Sequence, residues 1–283
     1  MKIKELFSYE IMKRLAYCEY VFFRVFSRML LGKRKRDELI IKGKLNFDQI
    51  MSKHFMNRFT GFIKPLNKRE AFTFYDGFYY VIPLDDTGIL EEVKKVYIKP
   101  KENYIVIDIG AHYGFYTVYV SRIVGTNGLI LSFEPHPNNY KRLLMNLRLN
   151  DVSNVKTFNI ALGEFNGKTR LYIHSLSVGH SIHFKSKDYV TVELVKLDTI
   201  VESLNLKKVD LIKIDVEGAE LDVLKGASNV IERFKPSLTI AAYHFPEEIV
   251  KLEEWLKKKN PNYVIIKTKD NFLHAVNSKL KIN

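Results

Sequence analysis

From Pro100 onward the chain alternates short apolar runs with longer segments of helical periodicity, and this rhythm restricts the available folds more than any other feature. The strand-like runs are YIVIDIG (104–110), LILSFEP (129–135), VKTFNIAL (155–162), VDLIKID (209–215), SLTIAAY (237–243) and YVIIKTK (263–269). Helical patterns fall between most of them, at 115–123, 138–150, 217–234 and 246–260. Apolar strands separated by helices predict an α/β fold, with a mostly parallel twisted sheet covered by helices on both faces. The Asp270-Asn271 pair in KTKDNFLHAV suits a hairpin that sets the last strand antiparallel to its neighbour. An insertion at 168–196 adds two strand-like runs, RLYIH and VTVELVK, around a Ser/His-rich loop. Upstream, AFTFYDGFYYVIPL (71–84) predicts a hairpin turning at Asp76-Gly77. The chain therefore divides into a basic helical segment at 1–70, a hairpin and linker at 71–98, and a ligand-binding domain at 99–283.

Ligands of such sheets bind beyond the carboxyl ends of the strands, where strand order reverses. That puts Asp108-x-Gly110-x-x-x-Gly114 at the site. Gly110 permits the tight turn off the first strand, and Gly114 lets the next helix approach the sheet closely. Ala111, His112 and Tyr113 fill the turn, and backbone N–H groups at 113–116 are expected to face an anionic group. A dinucleotide needs a second glycine where His112 stands, which argues against NAD. S-adenosylmethionine imposes no such demand, because only its amino acid end sits by the turn. Its ribose diol needs an acidic acceptor at the end of the second strand, where Glu134 stands, and a carboxylate there would repel the 2′-phosphate of NADP. Asn159 and Ala161, near the end of the third strand, are expected to border adenine.

Methyl transfer to an alcohol requires a donor and acceptor held in line and a base near the methyl. Asp215 ends the fourth strand, beside the first in the usual strand order, and is expected to face the methyl end. Glu217 and Glu220 open the following helix, where carboxylates are also favoured by the helix dipole; for Glu220 a capping or surface role is expected. His244 ends the fifth strand on the same edge and is a candidate general base, with a backbone-bonded loop histidine as the alternative. His180 and His183 lie on the insertion, either touching substrate or belonging to a polar surface loop. His136 is expected to shape the turn after Glu134. Two carboxylates at Asp215 and Glu217 are no metal signature, so no metal is expected.

VIDIGAHYGFYT, LSFEPHPNNYKRLLMNLRLN, NIALGE, LDTIVE and LIKIDVEGAELDVLKGA, in that order across about Pro100 to Phe245, resemble the FkbM family of S-adenosylmethionine-dependent methyltransferases. KIDVEGAE is the most specific of these pieces. The resemblance implies a Rossmann-like class I methyltransferase fold and methylation of hydroxyl groups on sugars, glycans or glycolipids, or secondary metabolites. It also implies that Asp108, Gly110, Gly114 and Glu134 carry the cofactor and that Asp215 and Glu217 border the reacting groups. The family commonly has asparagine where His112 stands. The segment before Pro100 lies outside the resemblance.

A formal charge of +13 would suit nucleic acid or an anionic membrane, but much of the excess sits near the N-terminus and at Lys251–Lys259 rather than around Asp215. A nucleic-acid methyltransferase is thus the weaker alternative, alongside a non-catalytic cofactor-binding protein acting through its N-terminal helix. The single Cys18 fits a reducing, cytoplasmic location. Residues 1–36 carry ten Lys/Arg against three Glu, with Ile11, Leu15, Phe22, Phe26 and Met29 gathered opposite Lys13, Arg14, Arg24 and Arg28. Such a helix either lies on an anionic membrane, peripheral on its inner face, or packs on the body or on a second subunit in a homo-oligomer.

Overall fold

The computed structural model describes residues 61–65, 70–75, 78–83, 98–173, 180–243 and 248–277. The N-terminal amphipathic segment and His244 lie outside them. Among the described residues, no helix is long and apolar enough to cross a membrane. The chain divides into two compact units, each described by itself.

In the first unit, β1 (Gly61–Pro65), β2 (Glu70–Tyr75) and β3 (Phe78–Pro83) form an antiparallel sheet in that order. Tyr75 pairs with Phe78, so the β2–β3 connection is the two residues expected to turn. The preceding β1 has no counterpart in the sequence reading. Phe78, Tyr80, Val81 and Ile82 of β3 are buried.

The second unit is built on a seven-stranded sheet. Its strands are β4 (Ile105–Ile109), β5 (Leu129–Phe133), β6 (Val155–Phe158), β10 (Leu211–Ile214), β11 (Ser237–Ala241), β12 (Tyr263–Lys267) and β13 (Phe272–Asn277). They lie in the order β12-β13-β11-β10-β4-β5-β6, and every pairing is parallel except the two made by β13. The chain runs outward from β4 through β5 to β6, then returns to β10 and runs outward the other way. The strand order therefore reverses between β4 and β10. As expected, the last strand is antiparallel, and it slots between β11 and β12.

Both faces of this sheet are covered, which is why its strands read as nearly continuous apolar runs. On one face Val106, Ile130 and Leu211 meet Tyr116, Val120 and Val124 of α1 (Phe115–Val124), a stripe at four-residue spacing. On the other, Ile107, Ile109, Leu131, Ile212, Ile214, Leu238 and Ile240 pack in one cluster with residues of α3 (Leu197–Ser203), α4 (Glu220–Gly226), α5 (Ser228–Phe234) and α6 (Glu248–Lys259). The helix α2 (Pro137–Leu149) begins on a proline, whose fixed φ suits the first helical position.

Two apolar segments divide where the sequence pattern is continuous. The expected third strand becomes β6 and β7 (Ala161–Leu162), which belong to different sheets. There β7 joins β8 (Gly167–Tyr172) and β9 (Tyr189–Val195), the two runs of the insertion, in a small sheet ordered β7-β9-β8. The expected helix at 217–234 breaks into α4 and α5 at Ala227. Its neighbour Gly226 lies against the backbone of Gly163, whose carbonyl oxygen would stand 1.9 Å from a Cβ.

Candidate functional site

A pocket opens at the carboxyl edge of the sheet, over the point where strand order reverses. The β4–α1 turn supplies Gly110, Ala111 and His112 to its wall, the end of β5 supplies Phe133 and Glu134, and Ile160, Ala161 and Leu162 follow β6. Opposite these stand Lys213, Asp215 and Glu217 from β10 and the loop after it, with Thr239 of β11, Tyr243 just after it and Phe272 of β13. The insertion adds Leu171, His180 and Ile182. Asp108, Tyr113, Gly114 and Asn159 do not line the pocket; they lie behind it and hold the residues that do.

The turn needs its glycines for steric reasons. Gly110 has φ +78°, and a Cβ there would stand 1.8 Å from the carbonyl oxygen of Asp215. Strand β4 therefore leaves the sheet pressed against the end of β10, which any side chain would prevent. Gly114 has φ +86°, and a Cβ there would strike the Leu143 side chain at 2.5 Å. Its close neighbour is thus α2 rather than the sheet. The N–H of Gly114 donates to Ala111 O, and those of Gly110 and Ala111 both donate to Phe133 O. These three donors are already paired with backbone carbonyls.

Beneath the turn, Asp108 is completely buried. Its Oδ2 accepts the hydroxyl of Thr117, which also meets Ser132 Oγ at 2.8 Å. Lys213 Nζ lies 3.2 Å from Asp108 Oδ1 as an ion pair, at an angle that makes no hydrogen bond, and donates to Gly110 O at 2.6 Å. In the sheet register Lys213 sits between Asp108 and Thr239. One ammonium therefore ties the strand before the turn to the turn itself.

Glu134 is 5% exposed. Its Oε2 accepts the N–H of His112 at 2.8 Å and its Oε1 that of His136 at 2.9 Å. Burial pushes its carboxyl up to about 7 against the lowering effect of these two bonds and of the Lys213 charge. Asn159 Nδ2 donates to the carbonyls of Glu134 and Pro135, fixing the segment that carries the carboxylate. Tyr113 is likewise buried, and its carbonyl accepts Asn146 Nδ2.

Across the pocket, Tyr243 donates its hydroxyl to Asp215 Oδ1 at 3.0 Å. Glu217 adopts φ +57°, and its carbonyl accepts Ser181 Oγ at 2.6 Å. Ser181 is fully buried and also accepts the N–H groups of His183 and Phe184, which stitches the insertion loop to the loop after β10. Glu220 folds back so that Oε1 accepts Val216 N and Gly218 N. It is buried and holds the loop before α4, rather than capping the helix or lying on the surface.

The methyltransferase FkbM domain matches residues 108–264, more than half of the chain. The chain belongs to the FkbM methyltransferase family. It is 33% identical over 149 residues to methyltransferase 1 of Beauveria bassiana, a match covering 45% of this chain and only 59% of that protein. Methyltransferase sdnD of Sordaria araneosa is 31% identical over 177 residues, covering 48% of this chain and 68% of the relative. A hexuronic acid methyltransferase, AglP, of Haloferax volcanii is 24% identical over 171 residues, covering 59% and 69%. The crystal structure of an FkbM methyltransferase from Methylobacillus flagellatus superposes with a TM-score of 0.50 at 21% identity, covering 64% of this chain and 45% of that one, and bears on the fold.

Within the FkbM domain, the structure brings Gly110, Ala111, His112, Glu134, Ala161, Asp215 and Glu217 to one pocket. His180 joins them and contacts His136 with ring centroids 4.3 Å apart, whereas His183 turns away to bond Asp222 at 2.8 Å. That bond is the largest influence holding the Asp222 carboxyl below its ordinary range. Lys213 and Tyr243 were not singled out from sequence. A lysine inside an otherwise apolar parallel strand, LIKI, is the signal that marks the first, because such a position rarely carries an unpaired charge.

Proposed function

We propose that the chain is an S-adenosylmethionine-dependent O-methyltransferase acting on a hydroxyl of a sugar, a glycan or glycolipid, or a secondary metabolite. The observation that carries this reading is the carboxylate set around the pocket: Glu134 on one side, Asp215 and Glu217 on the other, against the single ammonium of Lys213 among the described lining residues. A donor bearing a sulfonium and an α-ammonium group is cationic, and such a wall complements it. Each Glu134 oxygen takes one backbone N–H and keeps a second lone pair, enough for the two hydroxyls of a ribose. Phe133, Ile160 and Leu162 offer apolar surface for a purine. In this reading Gly110, Ala111, His112, Glu134 and Ala161 touch the cofactor, while Asp108, Tyr113, Gly114 and Asn159 hold the wall in place.

When bound, S-adenosylmethionine would supply an electrophilic methyl, the S–C bonding pair staying on sulfur as the acceptor oxygen donates its own pair to the carbon. Asp215 receives the hydroxyl proton. Tyr243 holds one Asp215 oxygen, which leaves the other for the acceptor. Glu217, on the same loop, borders the acceptor and fixes its orientation. A relative named as a hexuronic acid methyltransferase supports a sugar acceptor. The test is release of S-adenosylhomocysteine with a panel of hydroxylated acceptors. Asp215→Asn is expected to lose turnover by about 100-fold or more, the scale of general base catalysis, while retaining cofactor affinity. Wild-type turnover in that variant would remove Asp215 from proton transfer.

A further inference from the structure

Tyr243 follows β11 at the carboxyl edge of the sheet, beside Asp215 at the end of β10. Both its hydroxyl and its ring are held. The hydroxyl donates to Asp215 Oδ1 at 3.0 Å, and the ring packs edge-on against Phe272 with centroids 5.5 Å apart at 62°. Tyr243 nonetheless remains 36% exposed, and both rings line the pocket. Packing alone does not account for a large aromatic that is held by its hydroxyl to a carboxylate of the site and is still partly exposed in the pocket wall.

That combination matches the chemistry of a pyranose. One face of such a ring presents C–H groups to an aromatic surface, and its hydroxyls donate to carboxylates. Charge narrows the class further. Asp215 stands at this end of the pocket, bonded to Tyr243, and the ammonium of Lys213 is drawn to Asp108 and Gly110 O. A sugar carrying its own carboxylate would meet a like charge there.

We propose that Tyr243 determines acceptor specificity: its ring is the platform on which an uncharged pyranose lies, and its hydroxyl orients Asp215 toward the hydroxyl to be methylated. The inference rests on the O-methyltransferase reading. It departs from the hexuronic acid in the name of the Haloferax relative, whose acceptor carries a carboxylate.

The test uses the full chain with methyl glycosides of glucose, galactose and mannose, each paired with its uronate. Binding is followed by saturation-transfer NMR with and without S-adenosylhomocysteine, and turnover by S-adenosylhomocysteine release. The neutral glycosides are expected to bind at least about tenfold more tightly than their uronates. Tyr243→Leu is expected to raise KM by about tenfold or more with S-adenosylhomocysteine affinity unchanged, which also shows that the variant is folded. Tyr243→Phe keeps the ring, so KM stays within about twofold while kcat falls. Preference for the uronates, a wild-type KM in Tyr243→Leu, or no glycoside binding to protein that binds S-adenosylhomocysteine would each overturn the proposal. Wild-type protein that binds glycosides but no S-adenosylhomocysteine would instead refute the methyl-donor reading and leave the platform standing.

Discussion

Replacing Glu134 with alanine separates cofactor binding from folding stability, because this carboxylate affects the two in different ways. Charge-assisted hydrogen bonds contribute about 1.5–3 kcal/mol, so loss of those to a ribose diol should weaken S-adenosylmethionine binding by about 10- to 150-fold. Stability follows from the carboxyl itself, which burial raises from 4.5 to about 7 in the folded chain. Between these values the folded state binds more protons than the unfolded state, so stability falls as pH rises through that window, by about 3 kcal/mol. Alanine removes this penalty at pH 8 but deprives His112 N and His136 N of their acceptor, at about 1–3 kcal/mol each when they stay dry. The opposing effects are of similar size, so the melting temperature at pH 8 should move little while affinity collapses. Wild-type affinity should also weaken as pH falls below about 7, where the carboxyl takes its proton, by up to about tenfold per pH unit, and the alanine variant should not show this slope. Calorimetric titration from pH 5.5 to 8.5, paired with thermal melting, measures both effects. Unchanged affinity in the variant, or parallel pH slopes in the two proteins, would refute the reasoning.

Lys213→Met strands the Asp108 carboxylate in a fully buried position, and breaking such a pair costs about 3–5 kcal/mol; urea unfolding should show that loss, with partial recovery in the Lys213→Met/Asp108→Asn double variant. Gly110→Ala places a methyl against the Asp215 carbonyl at φ +78° and should destabilise by about 2–4 kcal/mol in the same assay, whereas a loss below about 0.5 kcal/mol would mean that the turn relaxes freely. Ser181→Ala removes the hydroxyl joining the insertion loop to Glu217, and amide exchange at His183 and Phe184 should accelerate by about tenfold; unchanged protection would show that the loop is held by other contacts.

The parts of this fold legible in the sequence are those set by local pattern. Parallel strands buried on both faces must be apolar, so β4, β5, β10 and β11 stand out, and their carboxyl ends locate Gly110, Glu134 and Asp215 without any tertiary information. What escapes are features decided by distant contacts. VKTFNIAL reads as one strand because Ile160, Ala161 and Leu162 continue its apolar character, yet pairing of Ala161 and Leu162 with β9, more than thirty residues away, draws its end into another sheet. ELDVLKGASNVIERF keeps its helical period through Ala227, yet one helix ends and the next begins there, where Gly226 lies against Gly163. Lys213 and Tyr243 matter through Asp108, Gly110 and Asp215, partners that lie 28 to 105 positions away.

The most direct test of the central claim is calorimetric titration of the full chain with S-adenosylmethionine and S-adenosylhomocysteine, with NAD as the control. Micromolar binding of the first two and none of NAD is the predicted result. Binding of NAD, or of neither sulfur nucleoside, would contradict the reading of Glu134 and the Gly110 turn as a methyl-donor site.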